Sequence, residues 1–359
     1  MAQSFSKFIT EEVKEKPYTL IMFNNSNEEV RDVGKRTRPD FKLFVDAAKK
    51  TGIKIFNVEY TGLFITEEDD KIFLNSLDFD EDGNVVMPTE SGEAKYQKPI
   101  PIDPENTILF ARGLGTFGYT TNRRWVDIIR NLEHKGFKTI PSINTWDKCS
   151  SKYYCDQLMK SNGLKTPTTI PITYSDDSER AVEQGKLKFP LILKASSGSQ
   201  TGVGVIIAES MRSLHATVQM LSFLKPYVDL LVQEYIKIEY DIRVLICNGE
   251  IIAAMKRNVI SGDVRSNASL GATTEQIELT EIEKRDALKC AELVQGELVG
   301  VDLLPAKDRE KEQPYILEVN GTPGLGGIEK VTKGKSVVEE VFNHYKNRDN
   351  WKGNDDDTT

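Results

Sequence analysis

The sequence has few of the residues that build disulfide frameworks or zinc centres. Its 359 residues include four cysteines and three histidines. The cysteines form no C-x-x-C pair and the histidines lie far apart along the chain, so the spacing matches neither a disulfide framework nor a zinc-binding motif. We therefore expect reduced thiols and no zinc site.

Long apolar runs and an excess of basic charge are also absent. The longest apolar stretches, 18–23 and 107–111 among them, are far shorter than the ~18 residues that cross a bilayer. The N-terminal segment mixes acids and bases, unlike a secretory signal. Lys plus Arg number 47 against 55 for Asp plus Glu, a net charge of -8, which gives no field that would attract nucleic acid. We expect a cytoplasmic protein without a membrane or nucleic-acid partner.

What is present is the composition of an ordinary globular protein, with 39% hydrophobic and 28% charged residues. The chain is long enough for two or three domains. Alternating strands and helices predict an α/β domain with a parallel sheet over 1–145. Shorter elements, starting with a helix over about 148–161, predict a small α+β unit over 146–228. Antiparallel strands follow over 229–347, where Asn248-Gly249 predicts a tight turn and Thr280-x-x-Glu283 predicts a helix that begins with a capping box. The acidic tail, 348–359, is predicted to be disordered.

Gly113-x-Gly115-x-x-Gly118 matches the dinucleotide-binding fingerprint and stands between a predicted strand and a predicted helix. The acid that binds the ribose, ~20 residues further on, is missing, because the predicted strand 138–143 runs into Asn144. The motif is therefore interpreted as a loop of a doubly wound sheet.

Asp78-x-Asp80-x-Asp82-Gly83 resembles the start of a calcium loop within the polar excursion 66–104. The twelfth position is Thr89, where a calcium loop has a bidentate Glu, and Pro88 precedes it. The Asp82-Gly83 pair is instead typical of a hairpin turn, and no calcium site is predicted.

Two apolar strands near the C-terminus each carry a carboxylate among aliphatic neighbours. Asp302 lies in one, and Glu318 and Asn320 lie in the other. Because a buried charge needs a partner, these acids either pair with Arg or Lys across a sheet or bind a hard cation such as Mg²⁺ or Mn²⁺. The residues themselves leave both alternatives open.

Lys194 ends a predicted strand and leads into the Gly/Ser-rich loop 195–204. Glycines permit unusual backbone angles and expose N–H groups, so such a loop beside a lysine can bind phosphates. It lacks the GK[ST] ending of a P-loop, and a plain flexible hairpin is the alternative.

Taken in order, several motifs resemble the ATP-grasp superfamily and, more closely, the RimK-type α-L-glutamate ligases. They are the sequences 233–236 (QEYI), 241–243 (DIR), 262–267 (GDVRSN), Asp302 and 318–330 (EVNGTPGLGGIEK). The resemblance covers roughly 142–345, and the first domain matches loosely at Arg112-Gly113. It implies an ATP-grasp fold with a pre-ATP-grasp α/β domain, a small α+β lid and a C-terminal antiparallel sheet.

The resemblance also implies roles for individual residues. Lys194 and Arg265 would be catalytic, Glu234 and Tyr235 would line an adenine-facing hinge, and Asp241 would lie near the ribose. The full nucleotide set is Lys152, Lys194, Gly202, Gln233, Glu234, Tyr235, Ile236, Asp241, Arg265, Ser266 and Asn267. The metal ligands are Asp302, Glu318 and Asn320, and the substrate residues are Arg112, Gly113, Arg243 and Gly321. Compared with the family pattern, the glycine loop is one residue longer and the link from Glu234 to Asp241 is two residues shorter.

The activity that the resemblance implies is ATP-dependent ligation of a carboxylate to an amine through an acyl phosphate, with release of ADP and phosphate. The cofactors would be ATP and Mg²⁺ or Mn²⁺. The carboxylate acceptor would be an amino acid, a peptide or a protein C-terminus, the amine donor glutamate or another amino acid, and a homo-oligomer is left open. Two alternatives are a phosphotransferase on the same fold and a nucleotide-binding scaffold without turnover. The intact set of charged groups argues against the scaffold, and dependence of the product on an added amine would separate a ligase from a kinase.

Overall fold

The computed structural model describes residues 18–24, 41–60, 62–78, 94–114, 119–196, 205–224, 229–259 and 273–351. Within them the chain forms four sheets with helices packed around them. In chain order the elements are β1 (Thr19–Asn24), α1 (Phe41–Thr51), β2 (Lys54–Glu59), β3 (Phe64–Glu68), β4 (Lys71–Asn75), β5 (Ile100–Ile102), β6 (Thr107–Phe110), α2 (Tyr119–His134), β7 (Lys138–Ile140), α3 (Ile143–Ser150), α4 (Lys152–Ser161), β8 (Thr169–Ile172), α5 (Ser175–Glu183), β9 (Leu191–Ala195), β10 (Ile206–Ala208), α6 (Met211–Leu224), β11 (Leu230–Glu234), β12 (Tyr240–Cys247), β13 (Glu250–Asn258), β14 (Thr274–Gln276), α7 (Glu281–Val294), β15 (Leu298–Leu304), β16 (Tyr315–Asn320), α8 (Gly326–Glu329) and α9 (Val337–His344).

The first sheet is parallel, with strand order β2-β1-β6-β7, which confirms the predicted α/β opening. Every residue of β6 is buried, as expected where both faces of a parallel sheet are covered. The strand predicted over 138–143 was too long. It ends at Ile140, because Ser142 caps helix α3 by accepting a hydrogen bond from the Thr145 backbone N–H.

The polar excursion forms a small antiparallel sheet in the order β3-β4-β5. The β3–β4 hairpin turns at Asp69 and Asp70, whose φ angles are 48° and 60°. The hairpin turn predicted from the sequence, Asp82-Gly83, lies outside the described residues. Two adjacent aspartates in the left-handed region are a weak turn signal, since Asn and Gly are the usual residues there.

A second antiparallel sheet, in the order β10-β9-β11-β8, forms the small unit that we call the lid. Helices α5 and α6 cover one of its faces, and residues such as Leu191, Leu193 and Val232 pack against them in a core separate from the rest of the chain. Because side chains alternate along a strand, Lys194 and Gln233 point to the opposite face.

The largest sheet is antiparallel, in the order β14-β13-β12-β15-β16. Its β12–β13 hairpin turns at Asn248 and Gly249, with φ angles of 45° and 81°, as the sequence predicted. Helix α7 packs on it and begins with the predicted capping box between Thr280 and Glu283. All seven residues of β15 are buried, so this strand lies at the centre of the core.

Two packing clusters fix the large sheet in place. One joins it to the N-terminal sheet and to α9, through contacts such as Phe44 with Phe342. The other packs Cys155 and Met159 of α4 against β12, β15 and β16. The single helix predicted over 148–161 is two helices, because Ser151 interrupts it and caps α4. The predicted domain boundaries at 145 and 228 remain predictions.

The predicted disordered tail needs one correction. Residues 348–351 form a single 3-10 turn. Trp351 Nε1 donates a hydrogen bond of 2.7 Å to the Tyr345 carbonyl, and the Arg348 guanidinium lies over the Trp351 ring. An indole that packs and hydrogen-bonds orders this turn, and 352–359 lie outside the described residues.

Candidate active site

Lys194 lies on the lid face that the helices leave uncovered, one residue before the end of β9. Its side chain is buried, and Nζ donates a hydrogen bond of 2.9 Å to Gln233 Oε1. Gln233 in turn donates through Nε2 to Thr169 Oγ1 at 2.7 Å. The neighbouring strands of the lid therefore orient Lys194, and Gln233 supports the lysine as well as being a predicted nucleotide contact.

The charge of Lys194 is unfavourable in its surroundings. Burial lowers the pKa of Lys194 to about 8, an effect that Lys152 strengthens and that Glu318 and Asp156 partly oppose. Asp156, on α4, was missed by the sequence analysis, because an acid on an amphipathic helix usually reads as a solvated residue. A buried cation with a lowered pKa is stabilised by an incoming anion, and this is the electrostatic setting of a phosphate-binding lysine.

Lys152 and Glu318 connect the lid side of the site to the large sheet. Lys152 is the first residue of α4, and its Nζ lies 3.5 Å from Glu318 Oε1. Its backbone N–H donates to the Ser196 carbonyl at 3.0 Å, which ties the start of α4 to the end of β9. A narrow cleft lined by Lys152, Asp156 and Glu318 opens at this point. The two predicted lysines and one predicted metal ligand are thus brought together.

Asp302 is held by two arginines. Arg243 binds it through two hydrogen bonds of 2.7 Å, from Nε to Oδ1 and from Nη2 to Oδ2. Arg257 Nη2 lies 3.0 Å from Oδ2. Burial alone would raise the pKa of Asp302, but the charges of Arg243 and Arg257 outweigh it and hold the pKa below its usual value. Asp302 is therefore ionised.

Arg257 also binds Asp241, through Nε to Oδ1 at 2.6 Å and Nη2 to Oδ2 at 2.7 Å. The result is a buried chain of alternating charges, Asp241–Arg257–Asp302–Arg243, across strands β13, β12 and β15. Asp241, predicted near the ribose, has both carboxylate oxygens bonded to this guanidinium. Of the two alternatives for Asp302, a salt bridge across the sheet or a bound cation, the salt bridge is present.

The donor set fits a hard divalent cation. A carboxylate offers about four acceptor positions. Among the described residues, three hydrogen bonds occupy Asp302, and only one of them goes to Oδ1. Asp302 is the register partner of Glu318 on β16, and Gly300 is the partner of Asn320. Asn320 donates a long hydrogen bond through Nδ2 to the Gly300 carbonyl, at 3.5 Å. Three oxygen donors on adjacent strands match the ligands that Mg²⁺ and Mn²⁺ prefer.

The predicted adenine hinge lies where the lid sheet joins the large sheet. Glu234 ends β11, and Tyr235 and Ile236 begin the connection 235–239 to β12. Glu234 Oε2 accepts a hydrogen bond from the Thr168 backbone N–H at 3.1 Å. Tyr235 and Ile236 are half-buried.

The four predicted substrate residues lie at the junction of the first domain with the loop after β16. Arg112 is buried and donates through Nη2 to the Pro323 carbonyl at 2.9 Å. Gly113 has a φ angle of 76°, which a side chain would strain. A Cβ on Gly321 would lie 3.4 Å from Cys149 Cβ, so this glycine allows close approach to α3. Arg243, as described, is bonded to Asp302.

Four of the predicted residues, Gly202, Arg265, Ser266 and Asn267, lie outside the described residues, and their roles remain predictions. Arg257 is the residue that the sequence analysis missed on the large sheet. The available signal was the need of buried acids for a cationic partner, and Arg257 is one of two adjacent cations, with Lys256, near the end of β13.

Solved structures share this architecture. The ATP-grasp ligase PsnB, complexed with a phosphomimetic variant of a minimal precursor, Mg and ADP, matches over 94% of this chain and 99% of its own, with a TM-score of 0.62 and 15% identity. The D-alanine–D-alanine ligase of Bacillus anthracis, complexed with ATP, matches over 91% of this chain and 92% of its own, with a TM-score of 0.53 and 17% identity. Identities this low show the fold, and the fold is that of an ATP-grasp enzyme.

Sequence relatives define the family. A model of the RimK-like ATP-grasp domain matches residues 149–341. A probable alpha-L-glutamate ligase of a Marinomonas species is 35% identical over 219 residues, 60% of this chain and 70% of the relative. The coenzyme gamma-F420-2:alpha-L-glutamate ligase of Methanocaldococcus jannaschii is 31% identical over 251 residues, 67% of this chain and 83% of the relative.

The chain therefore belongs to the RimK-like ATP-grasp family. It is an enzyme of the ATP-dependent carboxylate–amine ligase class, and this class uses ATP with a divalent metal. Among the helices that the structure describes, none has the length and apolar character needed to cross a membrane.

Proposed function

We propose that this enzyme joins the amino group of glutamate to the carboxylate of a peptide, protein C-terminus or small amino-acid acceptor, with Mg²⁺ as its metal. The observation that carries the proposal is the convergence of Lys194 and Lys152 on Glu318, beside Asp302. The two lysines suit the negative phosphates of a nucleoside triphosphate, and the oxygen donors suit the divalent metal ion that accompanies it.

The residues divide into groups by the part of the Mg²⁺–ATP complex that each would contact. Lys152 and Lys194 would bind phosphate oxygens, while Glu234, Tyr235 and Ile236 would border the adenine. Asp302, Glu318 and Asn320 would hold Mg²⁺, which when bound neutralises phosphate charge. Arg257 would keep Asp302 ionised and oriented, and Asp241 would orient Arg257. Arg265 and Asn267 would contact the γ-phosphate and its metal, and Gly202 and Ser266 keep their predicted places in the nucleotide-binding set.

The proposed reaction has two steps, phosphorylation of the acceptor carboxylate and attack of the amine on the acyl phosphate. An oxygen of the acceptor carboxylate attacks the γ-phosphorus, the bond to ADP breaks, and an acyl phosphate forms. The amine nitrogen then attacks the acyl carbon, phosphate departs with one oxygen of the original carboxylate, and the amine loses a proton. Because phosphate is the leaving group, the enzyme needs no nucleophilic side chain, and positioning with charge stabilisation supplies the acceleration.

Glutamate is proposed because the relatives named above are glutamate ligases. The acceptor would enter near Arg112, Gly113, Arg243 and Gly321, where the first domain meets the loop after β16. Arg243 is the cation of this group nearest to the metal ligands, through its bonds to Asp302. The oligomeric state and the cytoplasmic location expected from the sequence remain predictions.

Product analysis tests the proposal. The enzyme is incubated with ATP, Mg²⁺, glutamate and a pool of peptides and amino acids that carry free carboxylates, and the products are separated by mass spectrometry. A ligase gives ADP, phosphate and a product whose mass is that of acceptor plus glutamate minus one water. A phosphorylated acceptor formed equally well without glutamate would identify a kinase and reject the proposal.

A further inference from the structure

Helices α5 and α6 lie on the lid face opposite Lys194. Ala181 of α5 and Leu214 and Val218 of α6 pack in the lid core, so the two helices are held side by side. At the rim of this helix pair, away from the nucleotide side of the lid, two carboxylates meet a histidine. Asp176 and Glu179 come from α5, and His215 comes from α6.

The geometry of this cluster suits chelation. One ligand atom from each residue lies within 4.8 Å of the other two. Asp176 and Glu179 are three residues apart on a helix and so share a face. Nothing about this arrangement is visible in the sequence, since the carboxylates and the histidine lie on different helices with a strand pair between them.

His215 has an unsatisfied group at this point. Its Nε2 is shielded from solvent and has no hydrogen-bond partner among the residues that the structure describes. Buried polar atoms without a partner are rare in native proteins, and each requires an explanation such as a bound ion. The same ring has a nitrogen close to the two carboxylates, and a cation shared by the three side chains is one partner that this imidazole could take.

We propose that Asp176, Glu179 and His215 form a divalent-cation site of the zinc class that joins α5 to α6. Imidazole nitrogen with carboxylate oxygens is a donor set that zinc accepts, whereas magnesium prefers oxygen alone. Metal bonds of about 2.0–2.2 Å place tetrahedral ligands about 3.4 Å apart, so the ligand atoms would approach one another by at most about 1.4 Å. Asp176 is exposed and the other two residues are half-buried, which leaves them free to do so. Three protein ligands would leave the fourth position to water.

This site is separate from the proposed nucleotide site, because the lid sheet lies between them. Zinc binding here would contradict the expectation from the sequence that no zinc site is present. The expected consequence is a lid stabilised by a link between its two helices, independent of catalysis.

Zinc binding to the full-length protein tests the site directly. Mg²⁺ and ADP are kept saturating so that the ligands of the proposed active site are occupied. With nitrogen-labelled histidine, the three imidazoles are resolved by NMR while Zn²⁺ is titrated, and affinity is measured by equilibrium dialysis. We expect the His215 nitrogen signals to shift while those of exposed His134 do not.

Two variants and one control complete the experiment. His215→Gln and the double variant Asp176→Asn with Glu179→Gln keep the size of each side chain, and each should weaken Zn²⁺ binding at least 10-fold, whereas His134→Gln should leave it unchanged. Circular dichroism checks that the variants fold. The proposal fails if His215 does not respond to Zn²⁺, if the carboxylate variant binds as tightly as the wild type, or if His134→Gln loses binding equally.

Discussion

The lowered pKa of Lys194 makes ATP affinity depend on pH in a defined direction. In the free enzyme, burial lowers this pKa to about 8 from a model-compound value of 10.5. Bound phosphates add negative charge beside the ammonium group and would raise the pKa again, so ATP binding takes up a proton above pH 8. Affinity is therefore greatest below pH 8 and falls as the pH rises.

The magnitude follows from the difference between the two pKa values. If binding restores the ordinary value of 10.5, affinity falls by about tenfold per pH unit above pH 8, or about tenfold between pH 7 and pH 9. The whole difference, at about 1.4 kcal/mol per pKa unit, corresponds to about 3 kcal/mol as an upper limit. Lys194→Met keeps the apolar stem and removes the charge, so it should cost ~1–3 kcal/mol of binding free energy at pH 7.

Isothermal titration calorimetry with a non-hydrolysable ATP analogue and Mg²⁺, from pH 7 to pH 9.5, measures both effects. Repeating the titration in buffers of different ionisation enthalpy counts the protons taken up. Lys188→Met, at an exposed lysine of the lid, is the matched control and should behave as the wild type. The reasoning is refuted if wild-type affinity is unchanged up to pH 9.5, or if Lys194→Met loses affinity with the same slope.

Three further substitutions test the remaining parts of the site. Glu318→Ala should abolish Mg²⁺-dependent ADP release while circular dichroism shows an intact fold, and wild-type release would remove Glu318 from the metal ligands. Arg257→Met leaves two buried carboxylates without their shared cation, so the free energy of unfolding measured in urea should fall by about 3–5 kcal/mol. An unchanged unfolding midpoint would mean that Asp241 and Asp302 do not depend on Arg257. Arg265→Lys keeps the charge but loses the planar guanidinium, so steady-state kinetics should show kcat reduced ~10²-fold or more, with a smaller change in KM for ATP. A reduction in kcat of less than a few-fold would exclude Arg265 from catalysis.

The fold was predictable where local signals agree with tertiary packing. The capping box at Thr280 and Glu283, the Asn248-Gly249 turn and the apolar strands of the large sheet each carry their own local pattern. The break at Ser151 was missed, because the residues on both sides of it suit a helix and a serine within such a run does not by itself mark a new N-cap. The β3–β4 turn was missed for a similar reason, since its two aspartates are weak turn residues.

The site was predictable in its residue types but not in its pairings. A carboxylate such as Asp302 in an apolar strand requires a partner, and the sequence shows this requirement. The partner depends on strand order and register. Strand β14 and helix α7 separate β13 from β15 along the chain, yet only β12 lies between them in the sheet, so Arg257 reaches Asp302. The contact of Lys152 with Glu318 likewise joins residues that only the tertiary fold brings together.

The central claim is that a carboxylate oxygen is transferred to phosphate during amide formation. Once the mass-spectrometric screen has found an acceptor, its carboxylate is labelled with heavy oxygen and the phosphate released during turnover with glutamate is analysed by mass spectrometry. The acyl-phosphate route predicts one heavy oxygen in each phosphate, formed in equal amount with the amide product. Unlabelled phosphate accompanying the amide would contradict it.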